Sequence, residues 1–185
     1  MSRKERVTWA GTKAGLAMRI GVLGLVATLA GSVIPPASAR SATPAGIAPV
    51  AGIANLNSNM CLVARGFDDG APVVQTQCDQ RYRDQVWYFV EMSPAWYLLQ
   101  NTNSGLCMVV RGTDDGARLV QTRCDGRYGD QWWNVMPPAG AIFQLYNYNS
   151  RMCMVVRGDA DGAPAVQTTC DSAYWDQWWF QQTLD

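Results

Sequence analysis

Three sets of polar and aromatic residues recur at intervals of 46 residues, and their types suit a molecule with several hydroxyl groups and one apolar face. In the first set, Asp84 is a hydrogen-bond acceptor, Gln75 offers a donor and an acceptor, and Tyr82 presents a ring with a polar tip. The other two sets are Gln121, Tyr128 and Asp130, then Gln167, Tyr174, Trp175 and Asp176. We predict that these ten residues form up to three binding sites, and the third, most aromatic set is the favoured one.

Each residue type in these sets also has a purely structural interpretation. The aspartates could form surface ion pairs with arginines that recur at the same interval: Arg65 with Asp84, Arg111 with Asp130 and Arg157 with Asp176. The glutamines could satisfy backbone groups only, and the tyrosines could cover neighbouring disulfides. The sequence leaves both interpretations open.

The composition argues against catalysis and against a metal site. The chain contains no histidine, which removes the usual general base and the commonest metal ligand. A glycosidase needs two carboxyl groups facing each other across a cleft, whereas Asp68 and Asp69 are adjacent in a turn signal. No acidic cluster repeats with the spacing of calcium ligands. We therefore predict a protein that is not an enzyme and that needs no metal and no cofactor.

Residues 1–39 have the pattern of a secretory signal peptide. A basic start is followed by the apolar run Ile20 to Ile34, which is shorter than the ~20 residues of a membrane span, and Ala37-Ser38-Ala39 is a small-residue cleavage pattern. Cleavage after Ala39 predicts a secreted, extracellular protein with no membrane insertion of the mature chain. Residues 40–49, rich in alanine and proline, are predicted to be a flexible linker.

The charge of the predicted mature chain narrows the classes of partner. From residue 40 onward the sequence has ten arginines, no lysine and 14 acidic residues, which gives a formal net charge of −4. Such a chain is not expected to bind nucleic acid or an anionic membrane surface. Its length suffices for one hydrophobic core, so a monomer is expected.

The cysteines and several other residues follow the same 46-residue interval without an insertion. The repeated positions are Cys61, Cys107 and Cys153; Cys78, Cys124 and Cys170; Gly70, Gly116 and Gly162; and Trp87, Trp133 and Trp179. The tryptophans are expected to lie in the core. A fixed period of this size indicates a repeat architecture, here three copies over residues 50–182.

Each copy contains four short apolar runs separated by turn signals. In the second copy the runs are 96–100, 107–111, 119–124 and 131–135, and Asp115-Gly116 marks a tight turn between the second and third. Four strands in each of three copies predict an all-β domain of about twelve strands. Because three equal copies can close on a threefold axis, a closed barrel is favoured over an open solenoid.

The pattern of each copy closely resembles the repeat of ricin B-type lectins. It comprises N-x-N-S-x-x-C, D-G-A and V-Q-T-x-C-D, and it ends in Q-x-W at Gln85 to Trp87, Gln131 to Trp133 and Gln177 to Trp179. The resemblance extends over nearly the whole predicted mature chain. It implies a β-trefoil, a secreted carbohydrate-binding module of the stand-alone bacterial type, and disulfides within each repeat. The period supports the same pairing: Cys61–Cys78, Cys107–Cys124 and Cys153–Cys170.

The chain departs from the family pattern where the family commonly binds sugar. An aspartate of the family that accepts hydrogen bonds from sugar hydroxyls is replaced by valine in every copy, at Val63, Val109 and Val155. The family's aromatic residue two positions before the second cysteine is replaced by threonine, at Thr76, Thr122 and Thr168. Conversely, Asp84, Asp130 and Asp176 stand where the family usually has asparagine.

Strand alternation predicts the surroundings of the valines. In the run from Cys61 to Arg65, Leu62 and Ala64 should face the core, and Val63 should face the presumed pocket. The acceptor role then passes to the three new aspartates. We therefore predict a lectin-like module that binds a polysaccharide or glycan without catalysis. The alternative is a protein-interaction or inhibitor module on the same scaffold, with a protein partner.

Overall fold

The computed structural model describes residues 50–79, 81–137 and 141–182, and these residues form one twelve-stranded sheet system. The first repeat contains β1 (Val50–Asn55), β2 (Cys61–Ala64), β3 (Val73–Thr76) and β4 (Val86–Ser93). The second contains β5 (Trp96–Asn101), β6 (Cys107–Val110), β7 (Leu119–Thr122) and β8 (Trp133–Met136). The third contains β9 (Ile142–Asn147), β10 (Cys153–Val156), β11 (Ala165–Thr168) and β12 (Trp179–Gln182). A short 3-10 helix precedes the last strand of each repeat: Arg83–Gln85, Gly129–Gln131 and Trp175–Gln177.

The first and last strands of the three repeats close into a six-stranded antiparallel barrel. The order around the barrel is β1, β4, β5, β8, β9, β12 and back to β1. Closure joins the beginning and end of the domain, because Gly52 of β1 is paired with Gln182 of β12. A closed barrel leaves no unpaired edge among these strands.

The remaining strands form three hairpins, β2–β3, β6–β7 and β10–β11, which are joined to one another at one end of the barrel. Each hairpin turn binds the next repeat: the Gly70 N–H donates to the Gln121 carbonyl at 2.8 Å. The same bond runs from Gly116 to Gln167 at 2.8 Å and from Gly162 to Gln75 at 2.9 Å, which returns to the first repeat. Positive φ values of 78° to 86° at these glycines explain the residue type.

The core lies inside the barrel and beneath the hairpins. Trp87, Trp133 and Trp179 are fully buried, and each indole Nε1–H donates to a strand carbonyl, for example from Trp133 to Met108 at 3.1 Å. Leu62 and Ala64 belong to the same buried cluster, together with their counterparts in the other repeats. The predicted core tryptophans and the predicted core face of the second strand are therefore confirmed.

The disulfides join Cys61 to Cys78, Cys107 to Cys124 and Cys153 to Cys170. Each bridge fastens the beginning of a repeat's second strand to the segment after its third strand, so that it closes one hairpin. The predicted β-trefoil of three repeats with one disulfide per repeat is confirmed. The predicted leader, residues 1–39, and the predicted linker, residues 40–49, lie outside the described residues. In the described part of the chain, no helix is long and apolar enough to cross a membrane.

Candidate functional site

The second repeat has a surface pocket of about 350 Å³ at the place where the sequence predicted a binding site. Its lining includes Val109, Arg111, Thr122, Asp125, Tyr128 and Asp130. Val109 is fully buried under the pocket and supplies an apolar floor. Tyr128 is 54% exposed at the rim. The structure therefore brings the predicted aspartate and tyrosine of this repeat together over the predicted valine.

The Asp130 carboxylate has a buried oxygen, Oδ1, with no hydrogen-bond partner, and the same is true of Asp84 and Asp176. A buried acceptor without a donor is costly, because it has lost its water and gained nothing in exchange. Each of these aspartates is only half-buried as a whole residue, so a ligand could reach the carboxylate group from the surface, although not through this enclosed oxygen.

Burial also changes the pKa of Asp130 and of Asp176. The pKa of Asp130 is raised above its ordinary value of 3.8 mainly by desolvation, although backbone N–H groups and the charge of Arg111 act in the opposite direction. The pKa of Asp176 is raised mainly by desolvation too, and Arg157 opposes this shift. Both carboxylates are therefore partly desolvated, and a hydrogen-bond donor from a ligand would stabilise their charged form.

Each aspartate lies in a 3-10 helix, and side-chain hydrogen bonds within the same repeat fix one side of this helix. In the second repeat, the Gln131 Oε1 accepts a bond from the Asp125 N–H at 3.0 Å, and the Gln131 Nε2 donates to the Arg123 carbonyl at 3.2 Å. Gln85 and Gln177 make the equivalent bonds in the other repeats. The glutamine of Q-x-W thus fixes the turn that carries the aspartate.

The following repeat holds the same 3-10 helix from the other side. The Asn147 Nδ2 donates a hydrogen bond to the backbone carbonyl of Asp130 at 2.9 Å. The same bond to a backbone carbonyl joins Asn101 to Asp84 at 2.7 Å and Asn55 to Asp176 at 2.8 Å. The side-chain oxygen of Asn147 meanwhile accepts bonds from the backbone of its own turn. The sequence analysis missed this role, although the first asparagine of N-x-N-S recurs in all three copies.

The structure corrects the prediction for Gln75, Gln121 and Gln167, which are fully buried and are not accessible to a ligand. The Gln75 amide donates to the carbonyls of Gly158 and Ala160 at 3.2 and 3.0 Å, and its oxygen accepts from the Ser58 hydroxyl at 2.7 Å. Gln121 and Gln167 donate likewise to carbonyls of the preceding repeat. These glutamines join neighbouring repeats, as their structural interpretation stated.

Two of the recurring arginines, Arg111 and Arg157, have direct partners other than the candidate aspartates. Arg111 forms its ion pair with Asp69 at 2.7 Å and also donates to the Thr122 hydroxyl at 3.1 Å. The hydrogen bond from Thr122 and the one from Arg111 lower the pKa of Asp69. In the third repeat, Arg157 lies 3.7 Å from Asp115 and donates to the Thr168 hydroxyl. These ion pairs link adjacent repeats and use Asp69 and Asp115 instead of Asp130 and Asp176.

The other predicted aromatic residues are accessible to different degrees. Tyr82 is 58% exposed and Trp175 is 42% exposed, whereas Tyr174 is half-buried. The tryptophans that precede the core tryptophans, Trp132 and Trp178, are half-buried. Each repeat therefore presents an aromatic surface near its aspartate.

The sequence and the fold were compared with those of known proteins. The family model described as ricin-type beta-trefoil lectin domain-like matches residues 45–122 and 83–168. A search among curated proteins finds no match. The fold is similar to that of the designed threefold-symmetric protein ThreeFoil, with a TM-score of 0.69, 23% identity, and coverage of 74% of this chain and 100% of that one.

Two fungal lectins have the same fold. A Macrolepiota procera ricin B-like lectin in complex with lactose has a TM-score of 0.60 and 19% identity, over 71% of this chain and 93% of that one. A Polyporus squamosus lectin bound to a sialylated epitope has a TM-score of 0.61 and 15% identity, over 73% of this chain and 49% of that one. With the family model matching more than half of the sequence, the chain belongs to the ricin-type β-trefoil lectin domain-like family.

Proposed function

We propose that the protein is a secreted carbohydrate-binding module that recognises a polysaccharide or glycan without catalysis, through pockets centred on Asp84, Asp130 and Asp176. The observation that carries the proposal is the pocket of the second repeat, which Asp130 lines together with Tyr128 and Val109. Its volume of about 350 Å³ is large enough to admit part of a ligand, and Asp84 and Asp176 stand at the equivalent positions of the other repeats.

The pocket offers the complementary groups that a sugar ring requires. The Asp130 carboxylate accepts hydrogen bonds from hydroxyl groups, the Tyr128 ring covers the apolar face of the sugar, and Val109 supplies the apolar floor. Valine replaces the acceptor at the position that the family commonly uses. We therefore propose that Asp130 orients the ligand instead. The fold and the lactose complex of the Macrolepiota procera lectin support a glycan as the ligand class.

Replacement of Asp84, Asp130 and Asp176 together by asparagine is expected to weaken polysaccharide binding by about tenfold to a hundredfold per site. The reason is the loss of a charge-assisted hydrogen bond, which typically contributes about 1.5 to 3 kcal/mol. The measurement is a titration with a panel of soluble polysaccharides, followed by tryptophan fluorescence, first on the unmodified protein and then on the variant.

The matched control replaces Asp68, Asp114 and Asp159, exposed aspartates of the hairpin turns, by asparagine and so changes the net charge by the same amount. This control is expected to bind as the unmodified protein does. Unchanged affinity in the first variant, accompanied by a small loss of thermal stability, would show that the aspartates only support the fold. If the unmodified, folded protein showed no fluorescence change with any polysaccharide of the panel, this result would contradict the carbohydrate proposal and favour a protein partner.

Glycan binding is also expected to weaken as the pH is lowered. The decline is expected to begin at a higher pH than the titration of a solvent-exposed aspartate would give. Hydroxyl donors of the ligand stabilise the ionised carboxylate, so binding is complete above the folded-state pKa and is lost as pH falls through it. Since burial raises that pKa above 3.8 for Asp130 and Asp176, the decline begins above the range of a solvated aspartate. Affinity measured from neutral pH down to about 4 tests this. A pH-independent affinity over that interval would exclude these carboxylates as acceptors.

A further inference from the structure

The valine and the aspartate recur in all three repeats, but the residue before the aspartate differs in each. The position before the aspartate is Arg83 in the first repeat, Gly129 in the second and Trp175 in the third. A side chain therefore borders the aspartate in two repeats and is absent in the second.

Tyr148 from the following repeat occupies the space that Gly129 leaves. A Cβ atom added at Gly129 would lie 2.7 Å from the Tyr148 Cδ1, closer than real contacts allow, so this ring requires the glycine. Gly129 stands between Tyr128 and Asp130, both of which line the pocket. The Tyr148 ring, 44% exposed, therefore lies against the turn that carries Tyr128 and Asp130.

Tyr148 is held in a group of aromatic rings that the other repeats lack. Its N–H donates to the Trp132 carbonyl at 2.9 Å, and its ring centroid lies 5.2 Å from that of Trp96 and 5.8 Å from that of Trp132. The residues at the equivalent position of the other repeats are Leu56 and Thr102, which make the same backbone bond. We call the three rings of Tyr148, Trp132 and Trp96 the aromatic platform.

A charged donor group stands over the platform. The Arg151 guanidinium carbon is 5.0 Å from the centroid of the Tyr148 ring, and the Arg151 side chain is exposed. An arginine carries five N–H donors and no acceptor, so it suits the hydroxyl oxygens of a sugar lying beside the ring. Rings together with such a donor are suited to a sugar unit, which has apolar ring faces and polar edges.

We propose that the second pocket continues onto the aromatic platform and binds at least two consecutive sugar units of a glycan chain. One unit is held at Asp130, and the next packs against the part of the Tyr148 ring that Arg151 does not cover, with its hydroxyl groups near Arg151. The inference rests on the proposed carbohydrate function and makes the second site different from the other two. The second site prefers oligosaccharides to monosaccharides because only there does Tyr148 extend the pocket.

The test uses nuclear magnetic resonance of the isotope-labelled protein, because separate signals report each pocket. The amides of Gly129 and Gln131 and the Trp132 indole report the second pocket, whereas Gln85 and Gln177 report the other two. The probes are galactose, glucose and N-acetylglucosamine, each with its β-linked oligosaccharides of two to four units. The variant is Tyr148→Leu, which introduces the residue that the first repeat has at this position and so is compatible with the fold.

Tyr148→Leu is expected to lower oligosaccharide affinity at the second pocket by about threefold to tenfold and to leave monosaccharide affinity there unchanged. The control Tyr88→Leu removes a similarly exposed tyrosine of the barrel surface, 40% exposed, and is expected to change neither. Equal oligosaccharide affinity of the Tyr148 variant and the unmodified protein would overturn the platform while the carbohydrate function stands. Absence of signal changes in every pocket with every probe would overturn both.

Discussion

Removal of all three disulfides is expected to unfold the protein under conditions in which the oxidised form is stable. Each bridge closes a hairpin between cysteines 17 residues apart and so restricts the unfolded chain. A loop of this size contributes about 3 kcal/mol in the chain-entropy description, and three such loops together contribute about 9 kcal/mol. Since a domain is stable by only about 5 to 15 kcal/mol, a loss of about 9 kcal/mol removes most or all of that stability.

The measurement is urea unfolding of the oxidised protein beside protein that has been reduced and alkylated. Variants that replace one pair, such as Cys107→Ser with Cys124→Ser, are expected to lose about 2 to 5 kcal/mol each. Alkylating reagent added to the oxidised protein is the control and is expected to have no effect, because no cysteine is free. A reduced protein with the unfolding midpoint of the oxidised one would contradict the structural role of the bridges.

Trp133→Ala is expected to destabilise the fold by about 3 to 5 kcal/mol. The Trp133 side chain is fully buried in the common core, and its replacement leaves a large cavity together with a Met108 carbonyl that has lost its indole donor. Urea unfolding followed by circular dichroism measures the loss, since removal of a tryptophan also changes the fluorescence signal.

The matched control for this substitution is Trp178→Val. Trp178 is half-buried, and the equivalent position of the first repeat already holds valine, at Val86. A loss of no more than about 1 kcal/mol is expected, because a half-exposed side chain removes less surface from water. If the two variants were equally destabilised, burial would not be the reason for the tryptophan at position 133.

Much of the fold could be predicted because every copy carries the same signals in the same register. The run 107–111 predicts a strand that the structure has as Cys107–Val110, and the turn at Asp115-Gly116 lies where expected, with Gly116 at a φ of 82°. The fourth strand begins two residues later than predicted, at Trp133, because the 3-10 helix Gly129–Gln131 occupies the preceding positions. Such short helices have no periodicity that a sequence pattern reveals.

The site could be predicted only in part, and the reason lies in the pairing of strands. Gln75 faces the same side of β3 as Val73, which belongs to the core, and its cross-strand partner is Leu62, another core residue. The alternation along β3 therefore contained the signal that the glutamine points away from Val63. The bond from Asn55 to Asp176 joins residues 121 positions apart and cannot be deduced from either local pattern.

The bonds from Asn55, Asn101 and Asn147 have a consequence for how such a module arises by gene duplication. Each candidate aspartate lies in a 3-10 helix of one copy, and an asparagine of the following copy supports it. A single copy, released as a peptide of one period, would therefore lack this support. The aspartate turn is fully supported only where two copies meet, so a change in one copy is felt at its neighbour's aspartate.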